Sequence, residues 1–338
     1  MNSDDTALSD WLQAREHVRA RPGMYIGDPA NGVRQIVCEL AANTIDCFLA
    51  GKATHLSVKV SGRAITVEDD GPGLPFNEKI PGEPRSLAEK YLTGCRNSPT
   101  ADGHAPHCHL IFHGVGIAVV NALSSDFSVE SWADGTLWKM RFRQGIPSGK
   151  PSESPTNRRG SGTRIKVVPD AEIFPDALWD YSELRAIFFE SAHLHPGLKM
   201  SFNGERFFAP GGLADLISIY DSARCSKRYP SQMTSRIFSA SVRAGDFMIH
   251  AAAVEASGLS QIFSSWVNGV YTLAGGSHFD GFADAVRRAK WKPTIMLIHI
   301  VMYNPEFAGP TRNQLNNPKA RKAVKKALKP LLAEFLEV

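Results

Sequence analysis

The chain has 338 residues, more than one ordinary domain holds and enough for about two. Lysine and arginine total 38 against 34 aspartates and glutamates, and a formal net charge of +4 excludes a polybasic nucleic-acid coat while leaving room for a local basic patch. Hydrophobic residues at 43% and charged residues at 21% exclude a disordered chain, and five scattered cysteines without CxxC spacing (Cys38, Cys47, Cys95, Cys108, Cys225) exclude a disulfide framework and fit a reducing compartment.

Met1-Asn2-Ser3-Asp4-Asp5 has no basic-then-apolar signal pattern. Over residues 33–50, Val33, Ile36, Val37, Leu40, Ile45, Phe48 and Leu49 recur at three- and four-residue spacing and predict a helix stopped by Gly51. Its other face carries Glu39, Asn43 and Asp46. A carboxylate beside an amide oxygen suits a general base for water and an oxygen ligand for Mg²⁺. From spacing alone, a solvated polar face is the favoured reading.

Leu56, Val58 and Val60 alternate, Ser61-Gly62-Arg63 turns, and Ile65 and Val67 alternate again, which predicts two paired strands. The period of two puts Asp69 on the same inward face. An inward carboxylate needs a donor: a purine's exocyclic amine would serve, and local N–H groups are the plainer alternative. Gly71 and Gly73 then let the chain turn and let a ligand approach the backbone.

Residues 71–112 read as a long loop with one short helix near Ser86–Leu92. His104, His107, Cys108, His109 and His113 lack paired zinc-ligand spacing, and a polar loop describes them better. His113-Gly114-Val115-Gly116 runs directly into an apolar helix, Ile117–Leu123, whose free N–H groups and dipole suit a phosphate. With Val119 in the third glycine position this is no Rossmann fingerprint, nor is it a P-loop. Ala133-Asp134-Gly135 predicts a hairpin between Phe127–Trp132 and Thr136–Phe142. Gly145–Gly162 reads as a loop, Arg164–Val168 as a strand with Thr163 facing inward, and Ala177–Ala192 as a helix.

The second half is placed near residue 219. Phe238–Val242, Phe247–Val254, Trp266–Leu273 and a buried Thr294–Tyr303 are expected strands. The longest apolar run, Ile295–Tyr303, contains His299 and is too short to span a bilayer, so the expectation is a cytoplasmic protein with no membrane segment. Gly281–Lys290 and Lys319–Leu336 are expected helices. The last carries a basic stripe, Lys319, Arg321, Lys322, Lys325, Lys326 and Lys329, which reads as a solvated face that could also meet DNA phosphates.

In this order, these features resemble the GHKL ATPases, and among them the N-terminal region of the DNA gyrase and topoisomerase IV B subunits. Arg21-Pro22-Gly23-Met24-Tyr25-Ile26-Gly27 resembles the opening signature of that group. Glu39 to Asp46, Asp69 to Gly73, His113 to Ser124, Gly162-Thr163 and Gly275-Gly276-Ser277-His278 follow in family order. The resemblance implies an α+β fold: a Bergerat-type two-layer sandwich over residues 1–218, then a transducer-like domain over 219–338. It implies ATP and Mg²⁺ as cofactors. Glu39 would be the general base, Asn43 the metal ligand, and Asp69 the adenine reader, with Gly73 and Thr163 supporting it. His113, Gly114, Val115, Gly116 and Ile117 would wrap the triphosphate, and Arg312 would reach the γ-phosphate. It also implies an ATP-dependent homodimer working with a separate DNA-cleaving protein, because no TOPRIM-like acid cluster or tyrosine domain follows.

The sequence departs from the family at several points. Arg312 stands for a lysine, Pro310 for a glutamine, Leu110 and Ile111 for two glycines, Gln35 for a histidine that orients the base, and Pro72 for an arginine. These departures define the alternative: a slow or inactive nucleotide switch that regulates or mimics gyrase in resistance or defence. A histidine kinase or mismatch-repair ATPase is a third reading, disfavoured by the Arg21–Gly27 signature.

Overall fold

The computed structural model describes residues 3–83, 85–94, 106–110, 116–175, 179–224, 236–256 and 261–337. The chain forms two units. One comprises Met1–Ala105, His109–Phe188 and Leu198–Phe207; the other comprises Pro106–Cys108, Phe189–Gly197 and Phe208–Val338. Residue 219, where the sequence places the second half, falls inside a helix, Leu213–Arg224.

The first unit contains, in chain order, α1 (Ser3–Ala20), α2 (Gly23–Ile26), α3 (Pro29–Leu49), β1 (His55–Ser61), β2 (Ala64–Asp69), α4 (Leu87–Thr93), α5 (Ile117–Ala122), β3 (Ser124–Ala133), β4 (Thr136–Arg143), β5 (Ile146–Pro147), β6 (Ser152–Pro155), β7 (Gly162–Pro169), the first half of α6 (Tyr181–Leu194), β8 (Lys199–Phe202) and β9 (Glu205–Phe207). Among the described residues, nine strands make one sheet in the order β5-β4-β3-β7-β2-β1-β8-β9, with β6 also paired to β4. The pairings are antiparallel except for β1 with β8.

Alternation decides which face of this sheet is covered. Leu56, Val58 and Val60 of β1 and Ile65 and Val67 of β2 are buried, with exposed or half-buried residues between them. α3 packs on these two strands and buries Ile36, Val37, Leu40 and Ile45. Each such side chain contributes roughly 1.5–3 kcal/mol by leaving water. Asp134 and Gly135 both have positive φ (51° and 76°), the geometry of a two-residue hairpin turn that matches strand twist. α4 begins in a capping box, with the Ser86 hydroxyl and Glu89 side chain each satisfying the other's backbone N–H. α1 is held by its polar side chains: the Trp11 indole N–H donates to Gly145 O at 2.9 Å, and Arg19 pairs with Asp170 at 2.7 Å.

The second unit contains the end of α6, then α7 (Leu213–Arg224), β10 (Phe238–Ala244), β11 (Phe247–Val254), β12 (Ile262–Val267), β13 (Val270–Tyr271), α8 (Ser277–Arg288), β14 (Ile295–Val301) and α9 (Pro318–Glu337). Its sheet order is β10-β11-β14-β12-β13. All seven residues of β14 are buried, as expected of a central strand covered on both faces. Met296, Ile298 and Ile300 pack with Phe282, Val324 and Leu328 of α8 and α9. Ile295 and Leu297 pack with Leu194, Leu213, Leu216 and Ile217.

Among the described residues of this unit His193, His195, His278 and His299 are also buried, and His250 is half-buried. His299 Nδ1 pairs with Leu194 O at 3.0 Å and its Nε2 accepts the Gly269 N–H at 3.1 Å, which fixes the neutral tautomer. Burial lowers the proton affinity of His195 to a pKa of about 4, that of His278 to about 3, and that of His250 and His299 below the ordinary value.

Several expected boundaries move. The helix expected from Ala177 begins at Tyr181, and the 145–162 loop contains β5 and β6. The strand expected over Trp266–Leu273 is the end of β12 and the short β13, with Asn268 and Gly269 turning between them at positive φ. α8 starts at Ser277, ahead of Gly281. Glycine's weak helix propensity is overridden there because a Cβ on Gly281 would lie 2.5 Å from Arg321 O of α9.

Candidate functional site

α3 carries Glu39 on a face that is not solvated. Glu39 is 4% exposed and Asp46 9%, while Asn43 is half-buried, so the solvated-face reading fails. A buried carboxylate must be met by donors. Gln35 Nε2, one turn earlier, donates to Glu39 Oε1 at 2.7 Å. The Gly116 N–H, at the N-cap of α5, donates to Glu39 Oε2 at 3.0 Å. Both donors favour the ionised form, which is the form a general base requires.

Asp69 ends β2 in the expected phase. In strand register it lies opposite Thr163 of β7, which lies opposite Ser131 of β3. Thr163 and Ser131 are buried. Asp69 accepts the Gly71 N–H at 2.8 Å and the Thr44 hydroxyl at 3.3 Å. Burial pushes its pKa up to about 6, with the Gly71 N–H, Thr44 and the Thr163 backbone pulling the other way. Beside it the Cys47 thiol is pushed up to about 11 by burial, then by Asp69 and Asp46. Asp70 behaves oppositely: against a desolvation penalty, hydrogen bonds from Thr54 and His55 hold it below the carboxylate range. Adjacent carboxylates are thus divided into a structural anchor, Asp70, and a recessed acceptor, Asp69.

The turn after Asp69 lies directly on β3. Gly73 has φ +80°, and a Cβ there would sit 2.8 Å from Ser131 Oγ and 3.3 Å from Trp132 O. The Leu74 N–H donates to Ser131 Oγ at 2.7 Å. Gly162 is equally confined, since a Cβ would lie 2.3 Å from Asp69 O and 2.4 Å from the Trp132 ring.

The structure therefore brings Glu39 and Gly116 together, and likewise Asp69, Gly73 and Thr163. Ile117 opens α5 and is half-buried. His113, Gly114 and Val115 lie outside the described residues. Arg312 belongs to the other unit, at φ +54°, with its guanidinium 5.8 Å from the Phe307 ring centroid. Thr44 and Ser131 were not singled out by sequence reasoning. Ser131 had a signal, because it continues the inward alternation of Phe127 and Val129.

Among the described residues no group of three histidine, cysteine or acidic side chains could hold a metal ion. Of the histidine-rich tract, His104 and His113 lie outside the described residues. Asn43 offers a lone oxygen one turn from Glu39, which fits Mg²⁺ only as a single protein ligand beside phosphate oxygens and water. The basic stripe on α9 is partly neutralised: Asp284 of α8 meets Arg321 at 2.9 Å and Lys325 at 4.0 Å. Among the described residues no helix is long and apolar enough to cross a membrane.

Residues 28–173 match the family described as histidine kinase-, DNA gyrase B-, and HSP90-like ATPase. The chain is 29% identical to the gyrase B protein of Synechocystis sp. over 96% of its length and 33% of the relative's. It is 28% identical to the gyrase B protein of Clostridium acetobutylicum, over 96% of this chain and 55% of that one. It thus spans about a third to a half of these relatives. The 43K ATPase domain of Thermus thermophilus gyrase B, solved with an aminocoumarin, superposes with a TM-score of 0.82 at 27% identity, covering 96% of this chain and 90% of that one. The fold is the α+β sandwich-plus-second-domain architecture of the gyrase B ATPase structures.

Proposed function

We propose that this chain, whose residues 28–173 match the histidine kinase-, DNA gyrase B- and HSP90-like ATPase family, binds and hydrolyses ATP as a gyrase-B-like module. The observation that carries the reading is the buried Glu39 carboxylate, aimed by Gln35 Nε2 and the Gly116 N–H. Asp69 accepts the adenine amine, backed by Thr163, and the turn at Gly73 lets the base approach the backbone. His113, Gly114, Val115, Gly116 and Ile117 take the triphosphate. Glu39 removes a proton from water as the water oxygen bonds to the γ-phosphorus and the bond to the ADP oxygen breaks. Mg²⁺, held by Asn43 and the phosphates, would supply charge neutralisation when bound. Arg312 reports the γ-phosphate from the second unit, which acts as the transducer.

At the level of the assembly, ATP closes a homodimer in the cytoplasm, and a separate DNA-cleaving protein supplies strand passage. The charges of α9 outside the Asp284 cluster, Lys319, Lys322, Lys326 and Lys329, give weak, salt-sensitive DNA contact. The alternative of a switch without turnover gains nothing from the site, since Glu39 is present with its acceptor oxygens oriented. Phosphate release combined with light scattering tests the proposal. Release with ATP-dependent doubling of mass is expected; nucleotide binding with neither would contradict it.

A further inference from the structure

We propose that Ser131 is a positioning residue for the adenine end of the site, seating the Gly71–Pro75 turn so that the Gly71 N–H stays on the Asp69 carboxylate; this rests on the adenine reading above. Ser131 is 2% exposed and faces inward from β3 with Phe127 and Val129. Through Thr163 it shares one row with Asp69 across three adjacent strands.

A hydrogen bond and a close approach relate Ser131 to the turn. Its Oγ accepts the Leu74 N–H at 2.7 Å, and the same oxygen lies 2.8 Å from the place a Cβ on Gly73 would occupy. The turn therefore lies too close to the hydroxyl for any side chain at Gly73. At its other end the Gly71 N–H donates to Asp69 Oδ1 at 2.8 Å. Pro72 and Gly73 stand between, and the Pro72 ring fixes one of the few intervening backbone angles, which limits how much of a shift at Leu74 is absorbed before Gly71.

The Gly71 N–H favours the anionic carboxylate, the form that accepts an exocyclic amine best. Burial opposes it. The other groups facing Asp69 are the Thr44 hydroxyl and Cys47 thiol from α3, Thr163 from β7, and Asp70 just after its own strand. Asp70 disfavours the anion, so losing the Gly71 N–H leaves only Thr44 and Thr163 in its support.

Calorimetric titration with ADP and a non-hydrolysable ATP analogue, between pH 5 and 8, tests the assignment on wild type, Ser131→Ala and Ser131→Cys, with thermal melts alongside. Ser131→Ala should weaken both nucleotides alike, roughly 3- to 10-fold, the value of a lost neutral hydrogen bond. The midpoint of its pH dependence should move to higher pH. Ser131→Cys, a weaker acceptor of similar size, should fall between, and it decides the question if the alanine variant does not fold. Wild-type affinity and midpoint in the substituted protein would overturn the inference, as would a loss confined to the triphosphate. A wild-type chain that binds no adenine nucleotide at any pH would instead overturn the adenine reading itself.

Discussion

Gln35 Nε2 donates to Glu39 Oε1 at 2.7 Å, and both side chains are out of solvent on one face of α3. An amide in this place orients a carboxylate without carrying a titrating proton of its own. Gln35→Leu should therefore lower kcat roughly 10- to 100-fold, as expected when a hydrogen bond to a buried charge is lost, with little change in nucleotide affinity. Steady-state turnover and binding measured together check it. A large loss of affinity with unchanged kcat would place Gln35 in binding.

Adenine nucleotide affinity should fall as pH drops through about 6, where Asp69 takes up a proton. The stability effect has the opposite sign. A folded pKa raised from 3.8 to about 6 stabilises the fold below 3.8, and that contribution is lost as pH rises through 6. At pH 7, Asp69→Asn should then weaken adenine nucleotides and flatten their pH dependence without lowering the melting temperature. A variant that binds as wild type removes Asp69 from the site.

How much of this was legible in the sequence follows from what side-chain period can and cannot report. Alternation gave β1, β2 and the inward phase of Asp69, because those strands are covered on one face. Period gave α3, but could not say that the Glu39 face is buried, since α5 and the Gly116 N–H come from 77 residues away. Thr44 was hidden among small helix residues, and only the fold brings its hydroxyl to Asp69. The split at Asn268–Gly269 was missed because Trp266 to Leu273 keeps an apolar pattern through the turn.

The second unit should be acid-sensitive. His195, His250, His278 and His299 have folded pKa values below the ordinary 6.5, at about 4 for His195 and about 3 for His278. Their contribution is intact above 6.5 and is lost as pH falls from there toward those lower values, because the unfolded chain binds the protons first. The urea midpoint should drop between pH 7 and 5. His278→Leu should reduce that slope, because both ring nitrogens of His278 are buried without partners among the described residues. A flat midpoint over this range would contradict it.

Arg312→Ala should weaken a non-hydrolysable ATP analogue while sparing ADP, because the proposed contact is to the γ-phosphate alone. Competitive titration of the two nucleotides measures it. Equal losses would argue for a general electrostatic role.

Phosphate release from the wild-type chain and from Glu39→Gln, at saturating ATP and Mg²⁺ with nucleotide binding measured in the same samples, tests the central claim most directly. The account predicts that the substitution leaves binding nearly intact and lowers release by about 10²–10⁴-fold, the contribution of a positioned general base. Equal release from the two proteins would contradict it and take Glu39 out of the chemistry.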